Sequence, residues 1–276
     1  MQLHLSQPAI TAQIQRLEKE LGLLLLDRNR RSVRTTVAGD AFLVGAKTTL
    51  AAADEAARSA QWAASQQTER LRVGFPPSAL REIVPNIMTE FRRLYPNVKL
   101  DLFSYHTSMV VSELQKESLD LGFVRLPVHA KGLHIIPAHH EPLVLCLPAN
   151  HPLSSAVHID FADLREERFI MYGRKWAPGF HDRIIDRCMD AGFSPVVSNE
   201  IDEMYVAPAL VAAGEGIAIL PRMVVTSPVR NVVVKDLILP DLCSELGIAT
   251  RTLEYSAMMR AAVQISRAVC KRFSVN

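Results

Sequence analysis

Hydrophobic residues recur at helical spacing near the start of the chain. They follow one another at steps of four, three and four residues, which predicts a helix with one apolar face: Ile10, Ile14, Leu17 and Leu21. Ser6 precedes this stripe and is a good N-cap, and Pro8 fits the first turn, where its missing N–H is harmless. Gly22 follows the stripe as a C′ glycine would. The pattern predicts a capped amphipathic helix over 6–21.

A short hairpin and a long helix are predicted next. The apolar run 23–26 indicates a buried strand, 28–32 a basic tip and 33–35 the returning strand. Thr36 is the expected N-cap of an alanine-rich helix that reaches Gln66. Its uninterrupted stripe of small and apolar residues indicates that this helix packs on a partner helix. The alternative is a helix surrounded by solvent.

From residue 71 the pattern changes to short apolar runs that alternate with helical stretches. Runs at 71–75, 98–103 and 119–124 predict strands, with helices between them. This alternation indicates parallel α/β sheets. A second unit of the same kind begins near residue 143, and the helix 258–273 is expected to cover the first unit.

Composition adds the broad class of protein. A chain of 276 residues with 49% hydrophobic and 22% charged residues predicts two compact domains of ordinary globular make-up. Because no apolar run approaches the ~20 residues of a membrane span and no signal sequence opens the chain, we expect a cytoplasmic protein. The four cysteines lie far apart, as structural thiols in a reducing compartment do.

Charge separates the first 36 residues from the rest. They carry a net charge of +3, although the whole chain carries only +2, which indicates a polyanionic partner for this head. Gln7, Thr11 and Gln15 stand on the polar side of the first helix, near its start, and side chains there can bond base edges. Arginines at 30, 31 and 34 would bind phosphates or a minor groove. A solvated helix followed by a charged loop is the alternative.

The head resembles the LysR-type transcriptional regulators in the stretches S-Q-P-A-I-T-A-Q-I-Q-R-L-E-K-E-L-G and R-R-S-V-R-T-T-V-A-G. The resemblance implies a winged helix-turn-helix with recognition helix 6–21 and wing 27–35, in which Pro8 joins Gln7 and Thr11 at DNA-contacting positions. Position 12, often Arg in the family, is Ala12 here. The predicted DNA-binding residues are Ser6, Gln7, Pro8, Thr11, Gln15, Arg30, Arg31 and Arg34.

In the family a complete helix and most of another precede the position of Leu5. Residues 1–36 are therefore expected to form a partial winged helix-turn-helix. Either the true start of the protein lies upstream of Met1, or this chain is a fragment of the gene product. The apolar stripe of the first helix would lose its cover, at about 1.5–3 kcal/mol for each large side chain. The alternative function is an effector-binding protein without DNA binding.

The remaining chain resembles the effector-binding half of the family in L-D-L-G-F, E-P-L-V-L-C-L-P-A-N-H-P-L and A-L-V-A-A-G-E-G-I-A-I-L-P, the last close to regulators of aromatic-compound degradation. The resemblance implies two Rossmann-like subdomains, as in periplasmic solute-binding proteins. The implied division is a linker and dimerisation helix at 37–68, subdomain I at 69–143 plus 247–276, and subdomain II at 144–246.

Three side chains follow the ends of predicted strands, where ligands of open α/β sheets bind: Ser78, Thr107 and Arg125. Arg125 can grip a carboxylate, and Phe180 lies in a loop expected to face it from the second unit. Matching positions line the effector pocket in the aromatic-responsive branch of the family. The alternatives are a helix cap for Ser78, a turn for Thr107, an ion pair for Arg125 and plain packing for Phe180. We expect a small carboxylate effector, an aromatic acid or a ring-cleavage product.

Other function classes fit the sequence less well. No nucleophile elbow, P-loop or dinucleotide glycine motif is present, so no catalytic residues and no cofactor are predicted. His139 and His140 precede Glu141, but adjacent residues of an extended segment point to opposite sides, so no metal site is predicted. A solute-binding receptor is the remaining alternative, against which the basic head argues. The resemblance implies a homodimer or homotetramer that binds promoter DNA and has no membrane partner.

Overall fold

The computed structural model describes residues 7–28, 33–64, 70–237, 243–251 and 256–274. The chain divides into two compact units, Met1–Ser65 and Gln66–Asn276. Within the described residues, no helix is both long enough and apolar enough to cross a bilayer.

The first unit contains two helices and a two-stranded hairpin. Its elements are α1 (Gln7–Leu21), β1 (Leu26–Arg28), β2 (Val33–Thr35) and α2 (Val37–Ala64), and β1 pairs antiparallel with β2. Gly22 has φ +67°, a left-handed conformation that favours glycine and ends α1. Thr36 caps α2, because its Oγ1 accepts a hydrogen bond from the Gly39 amide at 2.9 Å.

Glu18 connects α1 to the hairpin from inside the unit. It is buried, and its Oε1 accepts hydrogen bonds from the amides of Leu25 and Leu26 at 2.8 and 2.9 Å. The buried strand predicted at 23–26 was wrong in its bounds. Leu23 and Leu24 are 55% and 71% exposed, and the strand begins only at Leu26 because Glu18 holds the chain there.

The second unit alternates strands and helices. Its strands are β3 (Arg70–Phe75), β4 (Lys99–Ser104), β5 (Leu121–Leu126), β6 (His134–Pro148), β7 (Arg168–Tyr172), β8 (Val196–Ile201), β9 (Ala218–Pro221), β10 (Val232–Asp236) and β11 (Cys243–Thr250). Its α-helices are α3 (Ile83–Leu94), α4 (Thr107–Gln115), α5 (Pro178–Asp190), α6 (Ala207–Ala212) and α7 (Ala257–Phe273). Parallel pairing of β3 with β4 and β5 gives the predicted α/β character.

The long strand β6 connects two parts of this unit. Its first half pairs antiparallel with β11, which continues the sheet to β5, β3 and β4. Its second half pairs with β9 and β10, while β7 and β8 form a separate parallel pair. Helix α7 packs on α3 and on β6. The crossing strand therefore carries the chain from one α/β subdomain into the other, with a cleft between them.

The motif L-D-L-G-F has a structural role at the start of β5. Asp120 accepts hydrogen bonds from the Arg72 amide at 2.8 Å, from its Nε at 3.1 Å and from its Nη2 at 2.8 Å. Burial acts to raise the pKa of the Asp120 carboxyl, but the hydrogen bonds and charge of Arg72 outweigh it and hold that pKa below its usual value. The bonds tie the turn before β5 to β3.

We expect Asp120→Asn to lower the free energy of unfolding by about 1–2 kcal/mol, since it removes a charge-assisted bidentate contact. Because the folded-state pKa is depressed, this contribution is present above the unfolded pKa near 4 and is lost as the pH falls through the folded value. Urea unfolding of both proteins at pH 7 and pH 3 measures it. A difference of the same size at both pH values would contradict the assignment.

Candidate functional site

The guanidinium of Arg125 is the centre of the cleft. The residue is the next-to-last residue of β5 and is only 2% exposed. Its Nη2 donates to the Ser78 hydroxyl at 2.8 Å, and its Nη1 donates to the Ser244 hydroxyl. Nη1 also lies 3.6 Å from Oε1 of Glu141, and the Phe180 ring centroid is 5.6 Å from the guanidinium carbon. Both subdomains thus contribute contacts to one buried cation.

Two hydroxyl groups beside Arg125 can act as hydrogen-bond donors. The Ser78 oxygen accepts from the guanidinium, and the Thr107 oxygen accepts from the Arg125 amide at 3.0 Å. Among the described residues, neither hydroxyl donates its own proton to another group. Since a hydroxyl has one proton to donate, both protons are available to an acceptor in the cleft. Thr107 also begins α4, whose N-terminus favours negative charge.

A small cavity separates these groups from the second subdomain. Its volume is about 10 Å³, room for roughly one water molecule. The residues that line it come from both subdomains: Pro76, Pro77, Ser78, Thr107, Arg125, Tyr172, Ala177, Glu203 and Met204. Burial raises the pKa of the Glu203 carboxyl, and His106 opposes that rise. The cavity therefore offers donors on one wall and an acidic side chain on the other.

Polar and aromatic contacts hold the two walls together. The His106 Nδ1 is 2.7 Å from the Tyr172 hydroxyl, and the His106 ring contacts the Trp176 ring in a tilted arrangement at a centroid separation of 4.3 Å. The Tyr205 hydroxyl donates to the carbonyl of Pro77 at 2.9 Å. These contacts close the cleft over the cavity, so a ligand larger than a few atoms must separate them.

Glu141 balances the buried charge of Arg125. Its Oε2 accepts from the Met223 amide at 2.8 Å, which ties β6 to the second subdomain. Burial raises the pKa of Glu141 to about 7 against the opposing effect of Arg125. Burial likewise acts to lower the pKa of Arg125, and Glu141 opposes it. Arg125 and Glu141 are thus a desolvated pair, in which each charge offsets part of the cost of burying the other.

The structure brings the four predicted effector residues together, with one correction of local structure. Phe180 was predicted in a loop, but it lies in the first turn of α5, because Pro178 begins a helix there. Its side chain is buried against the guanidinium. Ser78 lies in a short 3-10 helix after β3. Thr107 follows β4, and Arg125 is the next-to-last residue of β5.

Sequence reasoning missed four further residues of the site. Glu141 was considered only as a metal ligand, although the period-two alternation of β6 gives it the same buried face as His139. Ser244 lies opposite Glu141 in the pairing of β11 with β6, and only knowledge of the register identifies it. Tyr172 and Glu203 face the cavity from the second subdomain, where no motif distinguishes them.

In the first unit, α1 presents most of its predicted DNA-contacting side chains to the outside. Gln7, Pro8 and Gln15 are exposed, Thr11 is half-buried, and Arg34 on β2 is exposed. A helix and a hairpin with polar and basic exposed groups can contact base edges and phosphates.

Three of the predicted DNA-contacting residues lie outside the described residues: Ser6, Arg30 and Arg31. The apolar stripe of α1 is incompletely covered. Ile10, Ile14 and Leu17 are half-buried, and Leu21 is 41% exposed.

Comparison with protein families decides the identity. Residues 64–271 match the family described as "LysR substrate binding domain", and residues 1–40 match the family described as "Bacterial regulatory helix-turn-helix protein, lysR family". The chain belongs to the LysR family. LysR-family regulators are transcription factors and not enzymes, and their effector domain has the periplasmic-binding-protein-like fold observed in the second unit.

Individual relatives agree with the LysR assignment. The chain is 36% identical over 219 residues to the transcriptional regulator AlsR of Bacillus subtilis, covering 79% of this chain and 72% of AlsR. It is 31% identical over 271 residues to BenM of Acinetobacter baylyi, covering 97% and 88%. The solved BenM effector-binding domain with its effector benzoate superposes with a TM-score of 0.67 at 27% identity, covering 76% of this chain and 97% of that domain.

Proposed function

We propose that this LysR-family regulator binds promoter DNA through α1 and the hairpin β1–β2 and senses a small carboxylate in the cleft at Arg125. Its place of action is the cytoplasm. The protein works as a homodimer or homotetramer that assembles through α2. Support for this assembly comes from α2 itself, where Leu43 and Leu50 are 44% and 66% exposed.

The observation that carries the effector proposal is the pair of hydroxyl donors on Arg125. Ser78 and Thr107 each accept from Arg125 and keep a proton for a ligand acceptor. A carboxylate has two oxygens that accept such bonds, and the guanidinium behind the hydroxyls supplies the positive charge. Benzoate, an aromatic carboxylate, is the effector of the relative BenM, which supports the carboxylate class here.

The size of the cavity sets a condition on this proposal. Because its volume is about 10 Å³, a ring such as that of benzoate needs the contact between His106 and Tyr172 to open. The cleft then closes differently around the ligand, and a ligand with different affinities for the two arrangements shifts their populations. This shift is the proposed signal to the DNA-binding unit.

DNA binding is tested by selecting sequences from a random duplex library with the wild-type protein and measuring affinity by fluorescence anisotropy at several salt concentrations. We expect Arg34→Gln to weaken binding of the selected duplex and to reduce the salt slope by about 1, because one phosphate contact is lost. Arg92→Gln is the matched control, since Arg92 is an exposed arginine of the second unit.

Addition of benzoate, cis,cis-muconate or acetate to the same complex tests the regulatory proposal. We expect one of these carboxylates to change the affinity for the duplex. Failure to select any duplex would reject the DNA-binding function and leave the alternative of an effector-binding protein without it. Equal salt slopes for the two arginine variants would remove Arg34 from the interface.

A further inference from the structure

The outer face of the two paired crossing strands β6 and β11 carries three side chains of types that can bind metal ions. In the pairing of β6 with β11, His140 stands directly opposite Glu245, and Cys243 lies two residues before Glu245 on the same face of its strand. The imidazole, thiol and carboxylate ligand atoms all lie within 4.8 Å of one another. Prediction from sequence considered only the run of His139, His140 and Glu141, which alternation divides between two faces.

Two of the separations between these ligand atoms are close to those of a transition-metal site. Nδ1 of His140 is 3.9 Å from Oε2 of Glu245, and the Cys243 sulfur is 3.7 Å from Oε1 of Glu245. Ligands bound tetrahedrally at Zn²⁺ distances of 2.0–2.3 Å stand about 3.3–3.8 Å apart. Small side-chain rotations therefore suffice, and the backbone register already places the three groups.

We propose that His140, Cys243 and Glu245 form a binding site for a zinc-class divalent cation on the outer face of the crossing strands. A thiolate, an imidazole and one carboxylate form a mixed soft and borderline donor set, which suits Zn²⁺ or Co²⁺ and not Mg²⁺ or Ca²⁺. Three protein ligands leave the fourth position of a tetrahedral ion to water. The bound ion would clamp β6 to β11.

Exposure and neighbouring charge define the character of this site. The His140 side chain is 52% exposed and that of Glu245 22%, so an ion can enter from solvent. Arg183 donates to the carbonyl of Cys243 at 2.6 Å, and its Nη2 lies 3.9 Å from Oε1 of Glu245. Its positive charge weakens cation binding, while its hydrogen bond fixes the start of β11.

The alternating strands place this site directly behind the effector site. Glu141 follows His140 on β6, and Ser244 lies between Cys243 and Glu245 on β11. Glu141 and Ser244 are opposite each other in the ladder, and both point inward to Arg125. The remaining cysteines, Cys146, Cys188 and Cys270, are buried elsewhere. A thiolate ligand observed in the folded protein would therefore be that of Cys243.

The test uses the untagged full chain and Co²⁺ as a spectroscopic probe. We expect a saturable thiolate-to-cobalt absorption in the near ultraviolet that Zn²⁺ displaces and Mg²⁺ does not. Cys243→Ser should abolish the band. His140→Gln should weaken Co²⁺ binding by at least about tenfold. Loss of a residue that only hydrogen-bonds to a metal ligand already lowers metal affinity by about that factor. His158→Gln, at another exposed histidine, should bind as the wild type does.

His140 is an exposed residue, so its variant keeps the test valid even if Cys243→Ser does not fold. Absence of the band in the wild type would overturn the proposal. It would also fail if Co²⁺ bound with unchanged affinity to the folded Cys243→Ser or His140→Gln protein.

Discussion

Replacing Glu141 with glutamine is expected to raise the free energy of unfolding relative to the wild type by about 2–3 kcal/mol more at pH 8 than at pH 5. Burial raises the pKa of the Glu141 carboxyl to about 7 in spite of Arg125, so the wild type loses stability as the pH rises from the unfolded pKa near 4.5 through the folded pKa. Glutamine does not ionise, so the variant keeps its stability over this range.

Glutamine is the informative substitution because it keeps the size of the side chain and an oxygen for the Met223 amide. The measurement is urea unfolding at pH 5 and at pH 8 for the wild type, Glu141→Gln and the control Glu166→Gln, whose glutamate is exposed. The control should change stability by less than about 0.5 kcal/mol. An equal difference between the wild type and Glu141→Gln at the two pH values would contradict the raised pKa of Glu141.

Removing the hydroxyl donors is expected to weaken carboxylate binding strongly. A hydrogen bond to a charged group contributes about 1.5–3 kcal/mol, so Thr107→Val should lower the affinity by at least about tenfold. Ser78→Ala should lower it similarly, since it removes the other hydroxyl donor. Isothermal titration calorimetry with benzoate, cis,cis-muconate and acetate measures both effects.

The matched control for the hydroxyl variants is Thr89→Val. Thr89 is an exposed threonine of α3, its hydroxyl donates to the carbonyl of Pro85, and it does not line the cavity. Its affinity for each carboxylate should equal that of the wild type. Unchanged affinity in both Thr107→Val and Ser78→Ala would place the carboxylate elsewhere in the protein.

The sequence predicted the elements and the family because these depend on local spacing. The stripe of α1, the glycine at its end and the alternating runs after residue 70 depend on neighbours along the chain. The ends of β3, β4 and β5 meet at one edge of a parallel sheet, so Ser78, Thr107 and Arg125 were predictable as a group.

The partners of Arg125 were not predictable in this way. Glu141 and Ser244 approach it only through the register of β6 with β11, which joins segments about one hundred residues apart. Phe180 was predicted in a loop, because no pattern before Pro178 indicates that a helix begins there. The same register brings His140 to Glu245, so metal ligands on two strands escaped a search along one segment.

The central claim is that the cleft recognises a carboxylate by its charge, and matched acids and amides test it most directly. Trp176 contacts His106 at the closed cleft, and the chain has one other tryptophan, Trp62. In Trp62→Phe protein, tryptophan fluorescence therefore reports the cleft. We predict a saturable change with benzoate, cis,cis-muconate or acetate and at least about tenfold weaker binding of the corresponding amide. Equal affinity for acid and amide, or no saturable response to any of the three acids, would contradict the account.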